Sequence, residues 1–232
     1  MCRRLLPLTG PLAPILVASM LLGCGSSSQG NGIAEKTPGE ILASAKVLAD
    51  DASSAHVFGS ITSAGSPIAL NLYLHAKKGR GEISENGLPF ELIRVADDVY
   101  IKGSNAFYRH IAGPTAAQLL QGRWLKASAT SGSLASVGSL TDLRQLVDAT
   151  LTGHGALVKG PTTTVAGRRV IALTDPSEGG TLYVATTGPP YPVEVTKGGA
   201  AAGQILFDDW NDPVLVTPPA DAIDITKLES GG

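Results

Sequence analysis

The sequence contains very few cysteines and aromatic residues. Only two of its 232 residues are cysteines, Cys2 and Cys24, and only 5% are phenylalanine, tryptophan or tyrosine. If the first segment is removed on export, as argued below, one cysteine remains, which excludes an intramolecular disulfide and a cysteine metal site. The 28 glycines and 15 prolines favour a β-rich domain with many turns over a helical bundle. The fold must therefore be stable through its apolar core alone.

Charge of either sign is also sparse. Charged residues make up 16% of the chain, and the net charge is −2 at neutral pH. Arg3 and Arg4 are the only charged residues among the first 23, so the remainder has 16 basic and 20 acidic residues. This mild acidity provides no electrostatic attraction for nucleic acid, and we expect no nucleic-acid partner.

Motifs for catalysis and metal binding are missing from the sequence. Its histidines are widely separated and lack a second ligand at metal spacing; they are His56, His75, His110 and His154. No Gly-x-Ser-x-Gly nucleophile motif occurs. The acidic pairs at 50–51, 97–98 and 208–209 are chain neighbours, whose side chains diverge on a helix or a strand. We therefore predict no enzymatic activity, no metal site and no cofactor.

The first 24 residues have the pattern of an export signal. A basic start at Arg3 and Arg4 precedes an apolar run over 5–22, and the sequence Leu-Leu-Gly-Cys ends the segment at Cys24. This ending resembles the lipobox of bacterial lipoproteins, in which the cysteine receives a diacylglyceryl group and further acyl chains such as palmitate. The resemblance implies that residues 1–23 are cleaved between Gly23 and Cys24.

Two alternatives to the lipobox are an ordinary signal peptide and an uncleaved helical anchor. Three prolines in the first half of the apolar run, at positions 7, 11 and 14, argue against a transmembrane helix. The Ser/Gly-rich residues that follow are typical of a flexible tether, which we assign to 24–36. Two or more acyl chains on Cys24 anchor a protein stably to a membrane.

Alternation of apolar residues with a period of two predicts strands on both sides of the middle of the chain. One such run places Ile68, Leu70 and Leu72 on one face. Turn signals such as Glu-Asn-Gly at 85–87 separate neighbouring runs. The predicted strands cover 56–63, 67–76, 80–85, 88–96, 98–103, 155–165, 168–174, 180–186, 191–197 and 203–209, with a further brief strand at 124–126.

Helices are predicted before and between these strands. Thr37 and Glu40 have capping-box spacing, and a four-turn apolar stripe follows them. Further helices are predicted over 114–121 and from 139 to 147, with a Ser/Gly-rich loop or lid at 128–138. The fold class is therefore α+β, with one curved antiparallel sheet of about ten strands and helices on its concave face. This single domain is assigned to 37–228, with a disordered tail at 229–232.

Several segments resemble the mycobacterial-type lipoproteins of actinobacteria, of the LppX/LprG kind, which are related in plan to the LolA/LolB carriers. These segments are 98–103 (DVYIKG), 122–126 (GRWLK), 167–173 (GRRVIAL), 181–184 (TLYV), 190–195 (PYPVEV) and 207–214 (FDDWNDPV). The resemblance implies an open half-barrel over helices, and several such proteins bind lipids or glycolipids in the cavity. None of the segments is a catalytic motif.

The function expected from these features is that of a lipid-anchored envelope lipoprotein at the extracytoplasmic face of the cell membrane. It is expected to be a monomer that carries a lipid, a glycolipid or another apolar ligand. The candidate pocket lining is Ile68, Leu70, Leu72, Leu74, Leu92, Trp124, Val184 and Val193. The same residues equally describe a packed core, so a non-enzymatic scaffold or partner-binding lipoprotein without a ligand is the alternative.

Overall fold

The structure, a computed structural model, describes residues 30–63, 65–131 and 135–225. Cys24, the predicted signal at 1–23, the first part of the tether and the tail at 229–232 lie outside the described residues. The predictions made for those segments therefore remain predictions.

Twelve strands form one sheet. They are β1 Ala55–Ser63, β2 Ser66–His75, β3 Lys78–Glu85, β4 Leu88–Val95, β5 Asp98–Gly103, β6 Leu125–Ser128, β7 Val158–Val165, β8 Arg168–Asp175, β9 Gly180–Ala185, β10 Pro192–Lys197, β11 Gly203–Asp208 and β12 Ile223–Asp224. The expected count of about ten was too low: the brief strand predicted at 124–126 is β6, and the two-residue β12 is too short to show a period of two. Strand β12 pairs with β6 in parallel, and the other pairs are antiparallel.

The sheet consists of two antiparallel meanders joined at one seam. The strand order is β12-β6-β5-β4-β3-β2-β1-β11-β10-β9-β8-β7. The first meander, β1 to β5 with β6, therefore meets the second, β7 to β11, where β1 pairs with β11. Strands β12 and β7 are the two edges, so in the described part of the chain the sheet stays open. The predicted α+β fold with an open, curved sheet is confirmed.

The seam between the meanders requires a close approach of two backbones. Gly59 of β1 has φ +141°, and a Cβ atom there would lie 2.1 Å from the carbonyl oxygen of Gln204 in β11. Only glycine fits such a position. A glycine within a strand commonly marks a tight bend or a close approach of another backbone, and at this seam the approach of β11 is the observed cause.

The leading helix, α1 Pro38–Asp51, begins as the sequence predicts. The backbone N–H of Thr37 donates to Glu40 Oε2 at 2.9 Å, and the backbone N–H of Glu40 donates to Thr37 Oγ1 at 3.4 Å. These two bonds form the capping box and satisfy backbone donors that the first helical turn leaves free. The buried side of α1 includes Ile41, Ala45 and Ala49.

The helices between the meanders differ in part from the prediction. Helix α2 spans Asn105–Leu120 and thus begins nine residues before the predicted start at 114, with a break at Gly113, whose φ is +81°. Helix α3, Ala135–Leu140, occupies part of the segment predicted as a loop or lid at 128–138. Its small side chains show no strong apolar period, which explains why the sequence pattern did not indicate it. Helix α4 spans Leu143–Leu151, later than the predicted 139–147, because Asp142 caps its start.

The helices and the inner face of the sheet share one apolar core. Buried residues of α1, α2 and α4 pack with inward-facing side chains of both meanders. The sheet contributes, among others, Val57, Leu72, Leu92 and Leu173. This inner face is the concave one predicted to be covered by helices.

Part of the predicted tether packs against the domain. Residues Ile33–Glu35 form a short 3₁₀ helix, and Ile33 is buried in the core. The side-chain amide of Asn31 donates to the carbonyl oxygens of Ala185 and Gly188, at 3.0 and 2.8 Å. Residues 31–35 are therefore not a free tether, because an apolar side chain and an amide fix them to the sheet. The rest of the assigned tether, 24–29, lies outside the described residues.

Candidate functional site

A cavity of about 380 Å³ lies between the sheet and the helices. Its floor is formed by inward-facing aliphatic residues from six strands: Ile61, Leu70, Leu173, Leu182, Val195 and Ile205. Its cover includes Leu42 of α1, Leu140 of α3 and Leu146 of α4. The cavity therefore lies mainly under the second meander, and its volume is within the range of small-molecule sites, roughly 300–1,000 Å³.

The helices over this cavity are connected at the protein surface. Lys46 of α1 forms ion pairs with Asp50, one turn further along, and with Asp148 of α4. The hydrogen bond to Asp148, followed by that to Asp50, raises the pKa of Lys46. Because one ammonium group contacts carboxylates of both helices, α1 and α4 are held together above the cavity.

A buried arginine attaches the helical cover to the first meander. The Arg94 side chain is 4% exposed and extends from the inner face of β4. Its guanidinium donates to the carbonyl oxygens of Ala96 and Gly138 at 2.9 and 2.8 Å and lies 3.9 Å from Asp142. These acceptors compensate the cost of burying the charge. Arg94 thus fixes the end of β4 against the turn between α3 and α4.

Polar groups gather at one end of the cavity. Asp175 and Lys197 both pair with Gly180 at the same end of the sheet, and with His154, Glu178 and Gln204 they line the part of the cavity that we call the mouth. A ligand with an apolar body and a polar end would therefore be oriented with its polar end here.

The carboxylate of Asp175 at the mouth is already saturated with donors. It accepts hydrogen bonds from the Ser177 hydroxyl at 2.6 Å and from the backbone N–H groups of Gly155, Ser177 and Glu178. The Ser177 hydroxyl, followed by the Gly155 N–H, holds the pKa of Asp175 far below its ordinary value of 3.8. This carboxylate is therefore a structural anchor of the loops around the mouth rather than an available acid or base.

The structure distributes the eight predicted lining residues over four places. Leu70 lines the cavity. Five others belong to the main core or pack against it: Ile68, Leu72, Leu74 and Leu92 of the first meander, and Val184 of β9. Trp124 is half-buried, with the ammonium of Lys102 5.1 Å from the centre of its ring. Val193 packs with Val170 and Ala185 in a separate small cluster.

The position of Val193 has an identifiable cause. Strand β10 pairs Pro192 with Val184 and Glu194 with Tyr183 of β9, so one residue is extra at this point. Such a bulge disrupts the simple alternation of side chains between the two faces. Val193 therefore joins the cluster separate from the cavity, whereas Val195 lines the cavity.

Sequence reasoning also missed lining residues that come from outside the strands. About a hundred residues of sequence separate Leu42 from Leu157, and Leu146 lies between them in the chain. Leu146 and Leu42 could be recognised as apolar positions of amphipathic helices. Their convergence on one space required knowledge of how α1 and α4 pack on the sheet.

Together, the open antiparallel sheet and the helices over its inner face define a half-barrel that contains an apolar cavity. LprF from Mycobacterium bovis, known from a crystal structure, matches this chain with a TM-score of 0.56 at 12% identity, over 83% of this chain and 99% of that one. An uncharacterized conserved protein from Thermus thermophilus matches over 82% and 98% of the two chains, with a TM-score of 0.41 and 12% identity. No protein-family model and no curated protein matches the sequence.

The likeness to LprF concerns the fold, since only 12% of the residues are identical. It confirms, at that level, the resemblance to mycobacterial-type lipoproteins predicted from the sequence. Among the described residues, no helix combines the length and the apolar character that crossing a bilayer requires.

Proposed function

We propose that this protein is a lipid-anchored envelope lipoprotein that holds one apolar chain of a lipid or similar ligand in the cavity under its second meander. The observation that carries this proposal is the cavity of about 380 Å³ with an aliphatic floor and a polar mouth. The scaffold alternative predicts an interior filled by side chains, so the cavity favours ligand binding. The role is that of a non-enzymatic carrier or holder.

The size of the cavity limits the ligand. A methylene group occupies about the volume of a water molecule, about 30 Å³, so 380 Å³ accommodates a chain of about a dozen methylenes. A second or third acyl chain of that length would have to remain outside. We therefore propose a ligand that inserts a single chain and leaves its polar end at the mouth, near Lys197 and Gln204.

Membrane attachment is proposed from the sequence of the export signal. Acylation of Cys24 after cleavage behind Gly23 would place a monomeric domain on the extracytoplasmic face of the cell membrane. In this arrangement the docked segment at 31–35 sets the point where the tether leaves the domain, so residues 24–30 connect that point to the membrane anchor. That length brings the domain close to the bilayer surface.

Native mass spectrometry of the protein purified from host membranes tests ligand binding. We expect a non-covalent adduct with the mass of a lipid or another amphiphile, and after its removal we expect uptake of a fluorescent single-chain fatty acid. Ligand-free protein that also fails to take up the fatty acid would overturn the proposal.

Two matched tryptophan substitutions locate the binding space. Val195→Trp places a large ring in the cavity, and we expect affinity for the fatty acid to fall by at least about tenfold, since the ring occupies the space that the chain needs. Val158→Trp lies on the exposed edge strand β7 and should leave affinity unchanged. Equal affinities for the two variants would show that the chain binds elsewhere.

Cys24→Ser tests the anchor separately. We expect the variant to lose incorporation of a palmitate analogue and to appear in the soluble fraction, because no thiol accepts the diacylglyceryl group. Membrane retention of this variant would contradict lipid anchoring and leave the cavity proposal intact.

A further inference from the structure

Three metal-ligating side chains meet on the outer face of the sheet, at the seam between the meanders. His56 of β1 and Asp208 of β11 are direct register partners, and His56 Nδ1 lies 2.7 Å from Asp208 Oδ1. Asp209 follows directly, and one ligand atom from each of the three residues lies within 4.8 Å of the others. The neighbouring residue Val57 points inward to the core, so this cluster is separated from the cavity by the sheet.

The carboxylate of Asp208 contacts the imidazole and that of Asp209 lies within 4.8 Å of it, because the strand ends between them. Asp209 has φ +47°, in the left-handed region, which breaks the alternation expected of strand neighbours. The turn that follows is held by the N–H of Asn211, which donates to the carbonyl oxygen of Ser54 at 2.9 Å, and by Trp210, which stacks on Tyr191 at 4.7 Å. Asp209 is therefore fixed beside the seam.

The orientation of the His56 ring is also fixed. The ring is stacked with Phe58 and with Tyr73, at centroid distances of 4.7 and 4.2 Å. Its Nε2 lies 2.8 Å from Asn71 Oδ1. A metal-binding histidine usually donates its other N–H to such an oxygen, and this sets which nitrogen is free to bind the metal.

Both nitrogens of the His56 ring face oxygen atoms of neighbouring side chains. A neutral imidazole has a single N–H, and here both ring nitrogens face oxygen atoms, of Asn71 and Asp208. If Nε2–H donates to Asn71, the Nδ1 lone pair faces the Asp208 carboxylate, and a metal ion between these two groups would be bound by both. A tetrahedral ion with bonds of about 2.0–2.2 Å separates its ligands by roughly 3.3 Å, so a small opening of the contact with Asp208 admits it.

The cluster is accessible from outside. Asp209 lines a shallow depression of about 540 Å³ together with Tyr191, Trp210 and Arg168. Water or an external ligand can reach an ion bound there. Three protein ligands with a position left for water are the pattern of an open zinc site.

We infer that His56, Asp208 and Asp209 form a binding site for a divalent transition-metal cation of the zinc class. Imidazole nitrogen with carboxylate oxygen suits Zn²⁺ and its neighbours in the first row. Because the ligands come from β1 and from the end of β11, the ion connects the first strand with the last long strand of the sheet. Binding to the folded state alone then raises the melting temperature.

Titration calorimetry with Zn²⁺ at pH 7.5 tests this inference. The full-length chain with Cys2→Ser and Cys24→Ser is used, so that thiols do not compete for the metal. We expect one equivalent to bind, and we expect His56→Gln and Asp209→Asn each to weaken binding by at least 10–100-fold, roughly the loss seen even for outer partners of metal ligands. His110→Gln, at an exposed position of α2, should bind as tightly as the parent.

Two further measurements separate a metal site from a purely structural pair. Zn²⁺ should raise the melting temperature of the parent and of His110→Gln, and a chelator should reverse the rise, whereas Asp209→Asn should melt at the same temperature with and without metal. In a long-range ¹H–¹⁵N spectrum, Zn²⁺ should shift Nδ1 of His56. Three outcomes would each overturn the inference. They are absence of Zn²⁺ binding, binding that survives both His56→Gln and Asp209→Asn, and a doubly protonated His56 ring that Zn²⁺ leaves unchanged.

Discussion

The two meanders cover their inner faces in different ways. Under the first, aromatic rings from sheet and helix fill the space: Phe90 of β4 packs on Phe107 of α2 at 4.7 Å, and Phe107 on Tyr108 at 5.5 Å. Under the second, the floor between sheet and helix is aliphatic, with Leu173 and Leu182, and a cavity remains. One sheet therefore combines a filled core with a hollow one.

This difference shows that side-chain volume, rather than apolar character, decides where a half-barrel can hold a ligand. Both inner faces are apolar, so both are driven to bury their surface. A phenyl ring from a facing helix closes the space on one side, whereas leucine and valine do not reach across on the other. The predictions below test this contrast, beginning with the largest expected effect.

Replacing Arg94 with methionine should have the largest effect, because it removes the buried cation that attaches the helical cover to the first meander. The carbonyl oxygens of Ala96 and Gly138 would lose this donor, and Asp142 would lose its ion-pair partner. We expect a loss of about 3–5 kcal/mol in the free energy of unfolding, measured by denaturant titration. Lys102→Met removes a half-exposed cation paired with Glu91 and should cost about 1 kcal/mol or less. Equal losses would mean that Arg94 is not the attachment point.

Leucine-to-alanine substitutions compare the two interiors directly. Leu72 is fully buried beneath the first meander, whereas Leu182 already borders the cavity. Truncation of a buried leucine costs about 2–5 kcal/mol, and the cost grows with the volume of the new void. We expect Leu72→Ala to lower the free energy of unfolding by about 4 kcal/mol and Leu182→Ala to lower it by about 2 kcal/mol, measured by the same denaturant titration. The reverse order would contradict the hollow interior of the second meander.

The capping box of α1 tests how firmly the cover of the cavity is held. Thr37→Ala removes the acceptor for the N–H of Glu40, and loss of such a cap costs about 1 kcal/mol. Thermal unfolding followed by circular dichroism should show this decrease. Ser44→Ala, in the same helix, should change stability little, since its exposed hydroxyl donates to the carbonyl oxygen of Glu40 and accepts only a long bond of 3.4 Å from Lys36.

Acid unfolding should report the Asp175 anchor at the mouth. Its pKa is lowered in the folded protein, so its contribution to stability is complete above its ordinary pKa of 3.8 and is lost as the pH falls below that value. Asp175→Asn should therefore flatten the fall of melting temperature between about pH 4 and the lowest accessible pH. Asp51→Asn, at the exposed end of α1, should keep the parent slope. If the melting temperatures of both variants fell with pH as steeply as that of the parent, Asp175 would not have this role.

Much of the fold followed from local patterns. The strand runs from 56 to 103 and from 168 to 209 were predicted to within a few residues, because alternation and turn residues act over short distances. The start of α1 was predicted because the capping box is a local hydrogen-bond arrangement. Strand β6 was predicted as a brief strand at 124–126, whereas helix α3 and strand β12 escaped prediction, since each is too short for its period to appear.

The candidate sites depended on contacts between distant segments. Leu70 was predicted to line a pocket and does, but most of the lining comes from α1, α4 and the second meander. The carboxylates of Asp208 and Asp209 were expected to diverge as strand neighbours. The left-handed backbone of Asp209 instead brings both to His56, and no sequence pattern marks such a turn.

The sequence by itself determined the strand and turn pattern and the cap of the first helix, because these features depend on residues near one another in the chain. For the same reason, the predicted export signal with its lipidation cysteine rests on the sequence alone. Tertiary structure alone decided where the cavity lies and which histidine meets two carboxylates. Those outcomes depend on how separate elements pack, and on the volumes that their side chains leave unfilled.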